Sequence, residues 1–199
     1  KQIGAKAFYG CSSLTSIYIP TNAGLVSIGY EAFAMCTLPS IYIPKSVTLI
    51  DYHAFRASSL ESIEFSENSR LKTIGRESFK ESKIVSITIP KSVQTIEANA
   101  FDASRLQSIA FEADSQLQTI GNEAIHFCMD LESIDLTSFG HPETADKIPE
   151  LGTDVFKDSG SGYKFYVVDE SDELFNLFKS KGWPDDKSKY VIKEDPTNE

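Results

Sequence analysis

The chain has 199 residues, of which 41% are hydrophobic and 24% charged, enough to bury one sizeable core. Its 19 basic and 29 acidic residues leave a net charge of −10, which argues against nucleic acid or an anionic membrane surface as partner, since both need a basic footprint. No apolar run approaches the ~18 residues of a membrane-spanning helix, and Lys1 to Phe8 do not read as a signal peptide.

The chain opens on Ile3-Gly4 and Ala7-Phe8, followed by Cys11 and by the alternating segment Ile17-Tyr18-Ile19-Pro20. This pair of motifs recurs. Ile28-Gly29 with Ala32-Phe33 precedes Ile41-Tyr42-Ile43-Pro44, Ile50 with Ala54-Phe55 precedes Ile63-Glu64-Phe65, and Ile74-Gly75 with Ser78-Phe79 precedes Ile87-Thr88-Ile89-Pro90. Ile96 with Ala100-Phe101 precedes Ile109-Ala110-Phe111, and Ile120-Gly121 with Ala124-Ile125 precedes Ile134-Asp135-Leu136. A degenerate copy, Leu151-Gly152 with Val155-Phe156, precedes Phe165-Tyr166-Val167. Three residues past each Phe position stands a small residue: Cys11, Cys36, Ser58, Ser82, Ser104, Cys128 and Ser159.

Period-two alternation of β-branched and aromatic residues predicts short half-buried strands. Their starts are 24 (17 to 41), 22, 24, 22 and 25 residues apart, inside the range of leucine-rich repeats. Connectors alternate between 9 residues (19 to 28) and 7 (43 to 50), and the two short ones share Ile-Pro-Lys-Ser-Val, so a double coil has been duplicated. The last connector carries an insertion, 138–149. Each coil is thus expected to run strand, turn, extended Ile-Gly segment and tight helical turn around Ala-Phe. A lone coil cannot bury its Ile and Phe, whereas stacked coils form columns of like residues. The Phe column fills the interior, the Ala column admits a neighbouring backbone, and the Gly column is expected at positive φ.

The tail has its own pattern. Ser171 is expected as helix N-cap, with Asp172 and Glu173 in the first turn, Lys179 and Lys181 in the last, and Gly182 and Pro184 marking the stop. Leu174, Leu177 and Phe178 form one apolar face over the last coil, with Trp183 as plug and the acidic run from Asp169 to Glu173 keeping the cap soluble. Residues after Tyr190 are expected to fray.

The recurring Leu-x-x-Ile-x-Ile-Pro and Ile-Gly-x-x-Ala-Phe-x-x-Cys motifs resemble the BspA-like leucine-rich repeats, over roughly Ile3 to Val168. Departures are Val168 for the usual Pro, and Asp51 and Glu97 for Gly. The resemblance implies an α/β fold: a right-handed leucine-rich-repeat solenoid of about seven coils (1–168) with a C-terminal cap helix and tail (169–199). It also implies a surface or secreted protein of the kind found in anaerobic bacteria and some parasitic protists, associated with adhesion to host, matrix or cell-surface partners. Lys1 begins midway through a coil, so an export signal and further sequence are expected upstream.

The foremost candidate site is the outward face of the strands. Residues after the first strand Ile point outward: Tyr18, Tyr42, Glu64, Thr88, Ala110, Asp135 and Tyr166. With strands about 4.8 Å apart, Tyr18 and Tyr42 are placed to stack, and exposed Tyr anchors protein and glycan contacts. In the preceding column, Ser16, Ser40, Ser62, Ser86, Ser108 and Ser133, with Lys164 last, the six serines read as small hydroxyls suited to close stacking, with a ligand ladder as the alternative. His53, His126 and His141 form no metal-ligand or catalytic spacing and read as solvated or turn histidines. Cys11, Cys36 and Cys128 share one repeat position with four serines and read as buried thiols; a Cys11–Cys36 disulfide is the alternative. The insertion, with Glu143 and Asp146 followed by Glu150, is a second recognition candidate. No phosphate loop, nucleophile elbow or zinc helix occurs, so neither enzyme activity, cofactor nor metal is expected. The function expected is an extracellular protein-binding or adhesion module whose partner is a protein or glycan on a host, matrix or cell surface. The rivals are a passive spacer and an accessory region of an enzyme with its catalytic domain upstream.

Overall fold

The computed structural model describes residues 1–139, 148–168 and 172–193. His141, Glu143 and Asp146 of the insertion, together with Asp169 and the Ser171 cap, lie outside the described residues.

The chain winds as a parallel-strand solenoid, with two strands in a typical coil, numbered here in chain order. The Ile-Gly segments make a seven-stranded parallel sheet of two-residue strands: β1 (Gln2–Ile3), β2 (Ser27–Ile28), β4 (Leu49–Ile50), β6 (Thr73–Ile74), β8 (Thr95–Ile96), β10 (Thr119–Ile120) and β12 (Glu150–Leu151). Ile pairs with Ile along it, from Ile3 to Ile120, and then with Leu151. The second sheet is the expected strand face: β3 (Ser40–Ile43), β5 (Ser62–Phe65), β7 (Ser86–Ile89), β9 (Ser108–Phe111), β11 (Ser133–Asp135) and β13 (Lys164–Val167). It falls into a two-stranded piece, β3–β5, and a five-stranded piece running from β7. Where they abut, the Val85 N–H donates to the Glu61 carbonyl at 3.2 Å.

Two expectations are corrected by the turns. The Ala-Phe segments are not helical, because each coil places residues in the left-handed region. One such column is Lys6, Glu31, His53, Glu77, Asn99, Glu123 and Asp154, with φ between 52° and 59°. A second runs from Gly10 through Met35, Ala57, Glu81, Ala103 and Phe127 to Asp158. A left-handed non-glycine residue costs ~1–2 kcal/mol and stops an α-helix. In return, alternate amides turn out of the coil. Ala32, Ala34 and Cys36 close local turns to residues three back, while Glu31, Phe33 and Met35 donate to Tyr52, Ala54 and Arg56 of the next coil at 2.7–3.1 Å.

The second correction concerns the glycines, since none of the Ile-Gly glycines has positive φ. Gly75 and Gly121 are needed for close approach: a Cβ there would stand 2.6 Å from the Ile50 carbonyl oxygen and the Ala98 nitrogen, respectively.

Between the sheets and turns runs the core. Phe8, Phe33, Phe55, Phe79 and Phe101 stack as a ladder with ring centroids 5.0–5.3 Å apart and planes within 5°. Each such pair contributes about 0.5–1.5 kcal/mol beyond its buried area. The column continues through Ile125 to Phe156, which meets Phe165 edge-on.

The first coil departs from its neighbours. Ile17-Tyr18-Ile19 forms no strand, and both isoleucines are only half-buried. This segment is covered from one side only, beside a hollow of about 290 Å³ that Ile3, Phe8, Ile17 and Leu25 help to line. At the other end the helix α1 (Asp172–Ser180) lies over the last coil with Leu174 and Phe178 buried. Gly182, at φ 87°, closes it in a Schellman turn, the Gly182 and Trp183 amides donating to the carbonyls of Lys179 and Phe178. Trp183 is 2% exposed, and its Nε1–H donates to the Pro149 carbonyl at 2.9 Å. The expectation of a frayed end directly after Tyr190 is corrected for Val191 and Ile192, since β14 (Tyr190–Ile192) pairs in parallel with β13 and extends the strand face; residues 194–199 lie outside the described residues. Tyr190 is buried against Phe165, Phe175 and Phe178, which fixes the strand.

Candidate functional site

The strand face holds its outward residues in strict register. Tyr42 stands beside Glu64, and Thr88, Ala110, Asp135, Tyr166 and Val191 form one row. Alternation puts Ile41, Ile43, Ile87 and Ile89 inward and buried while Glu64 and Thr88 stay exposed and Tyr42 and Tyr166 are half-exposed. Ser40 and Ser62 pair beneath them, as do Ser86, Ser108 and Ser133, ending at Lys164. Asp135 is partly tied up. It accepts from the Thr137 amide and hydroxyl and from Lys193 Nζ; burial works against its ionisation, but these partners hold its carboxyl below the usual range.

Tyr18 is 84% exposed and, being outside any strand, is not in register with Tyr42; no ring contact joins them among the described residues. The structure therefore brings Tyr42, Glu64, Thr88, Asp135 and Tyr166 onto one face and leaves Tyr18 at its margin.

The opposite, turn face was missed in the sequence. There the left-handed column makes a polar ladder from coil to coil. Lys6 Nζ lies 3.2 Å from Glu31, Glu31 lies 3.5 Å from His53 Nδ1, His53 Nε2 lies 2.8 Å from Glu77, and Asn99 Nδ2 donates to Glu123 at 2.9 Å. A second ladder links Lys80 to Asp102 at 2.8 Å, Asp102 to His126 at 3.1 Å, and His126 to Asp158 at 3.6 Å. His53 and His126 are turn residues, one of the two readings given to them, but they are largely enclosed and paired rather than solvated; His53 is 6% exposed, with the Tyr52 ring 3.7 Å away. The signal was present once the repeat was aligned: opposite charges alternate at the repeat spacing, but they are never neighbours in sequence. No group of three or more His, Cys, Asp and Glu converges to hold a metal ion among the described residues.

Exposed apolar side chains decorate the same face. Tyr9 Oη donates to Met35 Sδ at 3.4 Å, Tyr30 stacks on Tyr52 at 5.5 Å, and Lys6 Nζ lies over both the Tyr9 and Tyr30 rings. Phe127 and Met129 are exposed farther along.

The cysteines occupy their expected column as free thiols, Cys36 and Cys128 buried and Cys11 half-buried. Burial pushes the Cys128 thiol up to about 11, and its sulfur sits 3.5 Å from Ser104 Oγ, an inert environment. The insertion is pinned at both ends. Ser138 Oγ donates to the Phe111 carbonyl, Phe139 packs on Phe111, and Glu150 meets Lys181 at 3.3 Å beside a groove lined by Gln94, Gln116 and Gln118.

Two ladders of inward Ile and Phe, a Cys/Ser column and a strand face repeating every 22 to 25 residues can be compared with known repeats. The family model described as BspA type leucine rich repeat region matches six copies, over residues 1–107 and 26–161. The chain belongs to the BspA-type leucine-rich repeat family. Among solved structures it is similar to the pneumococcal vaccine antigen PcpA, with TM-score 0.57 and 23% identity, covering 72% of this chain and 36% of that one. It is also similar to a leucine-rich repeat protein from Bacteroides ovatus, with TM-score 0.52 and 25% identity, covering 84% of this chain and 46% of that one. The chain therefore spans less than half the length of either. No curated protein matches it. In BspA-type terms, the Ile-Gly-x-x-Ala-Phe half of the repeat builds the ladders and the Ile-x-Ile half builds the strand face.

Proposed function

We propose that the chain is a non-catalytic protein-binding module of a surface or secreted protein, and that the strand face is its recognition surface, directed at a protein or glycan on a host, matrix or cell surface. The observation that carries this reading is the register-locked rows on the two pieces of that face, where the backbone fixes the spacing of the outward positions and leaves only side chains to be ordered when a partner arrives. Tyr42 and Tyr166 supply aromatic anchors on the two pieces of the sheet, with Glu64 and Thr88 as polar contacts between them. Membership of the BspA-type family supports the reading, since stacked repeats serve as extended binding surfaces.

The test is a binding screen of the chain against arrayed matrix proteins, host-cell surface proteins and glycans. The Tyr42→Ser, Tyr166→Ser double variant runs beside it, after circular dichroism shows that it folds. Saturable binding weakened at least ~10-fold in the variant, about 1.4 kcal/mol, supports recognition by this face. Absence of any saturable binding by the parent chain supports the spacer reading instead.

A further inference from the structure

We propose that His53 and His126 are pH-sensitive clasps between coils: each doubly protonated imidazole bridges a carboxylate of the coil before it and one of the coil after, so the stack tightens as the pH falls into the mildly acidic range.

The argument is one of donors and acceptors. A carboxylate only accepts hydrogen bonds, and a neutral imidazole has one N–H and one lone pair. His53 faces Glu77 with Nε2 at 2.8 Å and Glu31 with Nδ1 at 3.5 Å, so a neutral ring turns a lone pair toward one of the two carboxylates. Only the imidazolium donates to both. His53 Nδ1 is buried and makes no hydrogen bond in the structure, the looser end of the bridge. The same arrangement recurs independently three coils on, in the neighbouring column, where His126 faces Asp102 with Nδ1 at 3.1 Å and Asp158 with Nε2 at 3.6 Å.

The surrounding cations sit on the non-bridging oxygens, while the bridging Oε1 of Glu31 also accepts the Tyr30 hydroxyl at 2.8 Å and has its second lone pair left for His53. Glu31 gives its other oxygen to Lys6, Glu77 gives its other oxygen to Arg76 Nε at 3.4 Å, and Asp102 gives its other oxygen to Lys80. Tyr30 Oη also donates to Glu31, and this bond, together with Lys6 and His53 and against the effect of burial, holds the Glu31 carboxyl below the usual range. Burial is the largest influence on Glu77 and works against its ionisation, but the His53 hydrogen bond and the charges of His53, Lys80 and Arg76 together hold its carboxyl below the usual range. Both carboxylates therefore remain charged where imidazole takes up its proton. The remaining faces are aromatic: Tyr52 and Tyr30 against His53, and Phe127 against His126.

Stability from such a clasp is complete where the ring is protonated and fades as rising pH removes the proton. The experiment is thermal unfolding of the full chain at about pH 6 and about pH 8.5, beside the His53→Gln, His126→Gln double variant, which keeps His141. The parent is expected to melt some 3–6 °C higher at the lower pH, and the variant to lose at least half of that difference. Ring-nitrogen NMR of the parent chain gives a reading that needs no variant to fold. At pH 6 both ring nitrogens of His53 and His126 are expected to carry protons, and at pH 8.5 only one. A neutral ring at pH 6, or an equal pH dependence of melting in parent and variant, overturns the proposal.

Discussion

Ser78 occupies a place that six other coils give to Ala or Val: Ala7, Ala32, Ala54, Ala100, Ala124 and Val155. It is 0% exposed, and its hydroxyl has no hydrogen-bond partner. A buried hydroxyl without a partner costs roughly 1–3 kcal/mol. Ser78→Ala is therefore expected to stabilise the chain by about 1 kcal/mol, read as a rise of roughly 2–4 °C in melting temperature. An unchanged or lower melting temperature would show that the hydroxyl finds a partner in solution. At this scale the sequence was legible wherever one residue type recurred, as in the Cys/Ser column, whose small buried members sit where the repeat places them. It was illegible for His53 and Glu77, because charge complementarity lies between coils 24 residues apart and no local window contains both partners.

Strands and turns carry the next level. The Ile-x-Ile strands could be read from alternation, since one buried face imposes a period of two. The Ile-Gly ladder could be read only as extended, because a two-residue strand has no period to detect and exists through its neighbours. Left-handed Lys6, Glu31 and Glu77 were equally hidden, since glycine is the residue that normally announces such a conformation. Glycine here does another task, and a paired substitution separates the two. Gly75→Ala sets a methyl against the Ile50 carbonyl and is expected to cost about 1–3 kcal/mol. Gly4→Ala, at the same repeat position but with nothing within 4 Å, is expected to change stability by less than ~0.5 kcal/mol. Equal effects in chemical denaturation would mean that the coils do not approach each other as closely as described.

For the whole molecule, each coil touches chiefly its neighbours, so damage at one end should remain local. Trp183 seals the C-terminal end against Phe156, Phe165 and Phe178. Trp183→Ala is expected to cost about 3–5 kcal/mol. The loss should appear in hydrogen exchange as lowered protection of β13, β14 and α1, with β4 and β6 far less affected. Uniform loss of protection would show instead that the solenoid unfolds as one unit. The helix and its plug were legible from the Gly182 stop and the apolar spacing. The strand at Tyr190 was not, because Tyr190-Val191-Ile192 is too short a run to show a period and exists through its pairing with β13.

The inter-coil ladders also bear on how such an array can change over generations. Repeats of similar sequence invite loss or gain of whole units through misaligned recombination, and a solenoid of interchangeable coils would tolerate it. Here, excising the coil that carries His53 would bring Glu31 against Glu77, and excising the one that carries His126 would bring Asp102 toward Asp154 and Asp158. The charges therefore act as a serial number for each coil. They set each coil apart from its neighbours even where the hydrophobic columns repeat the same residue.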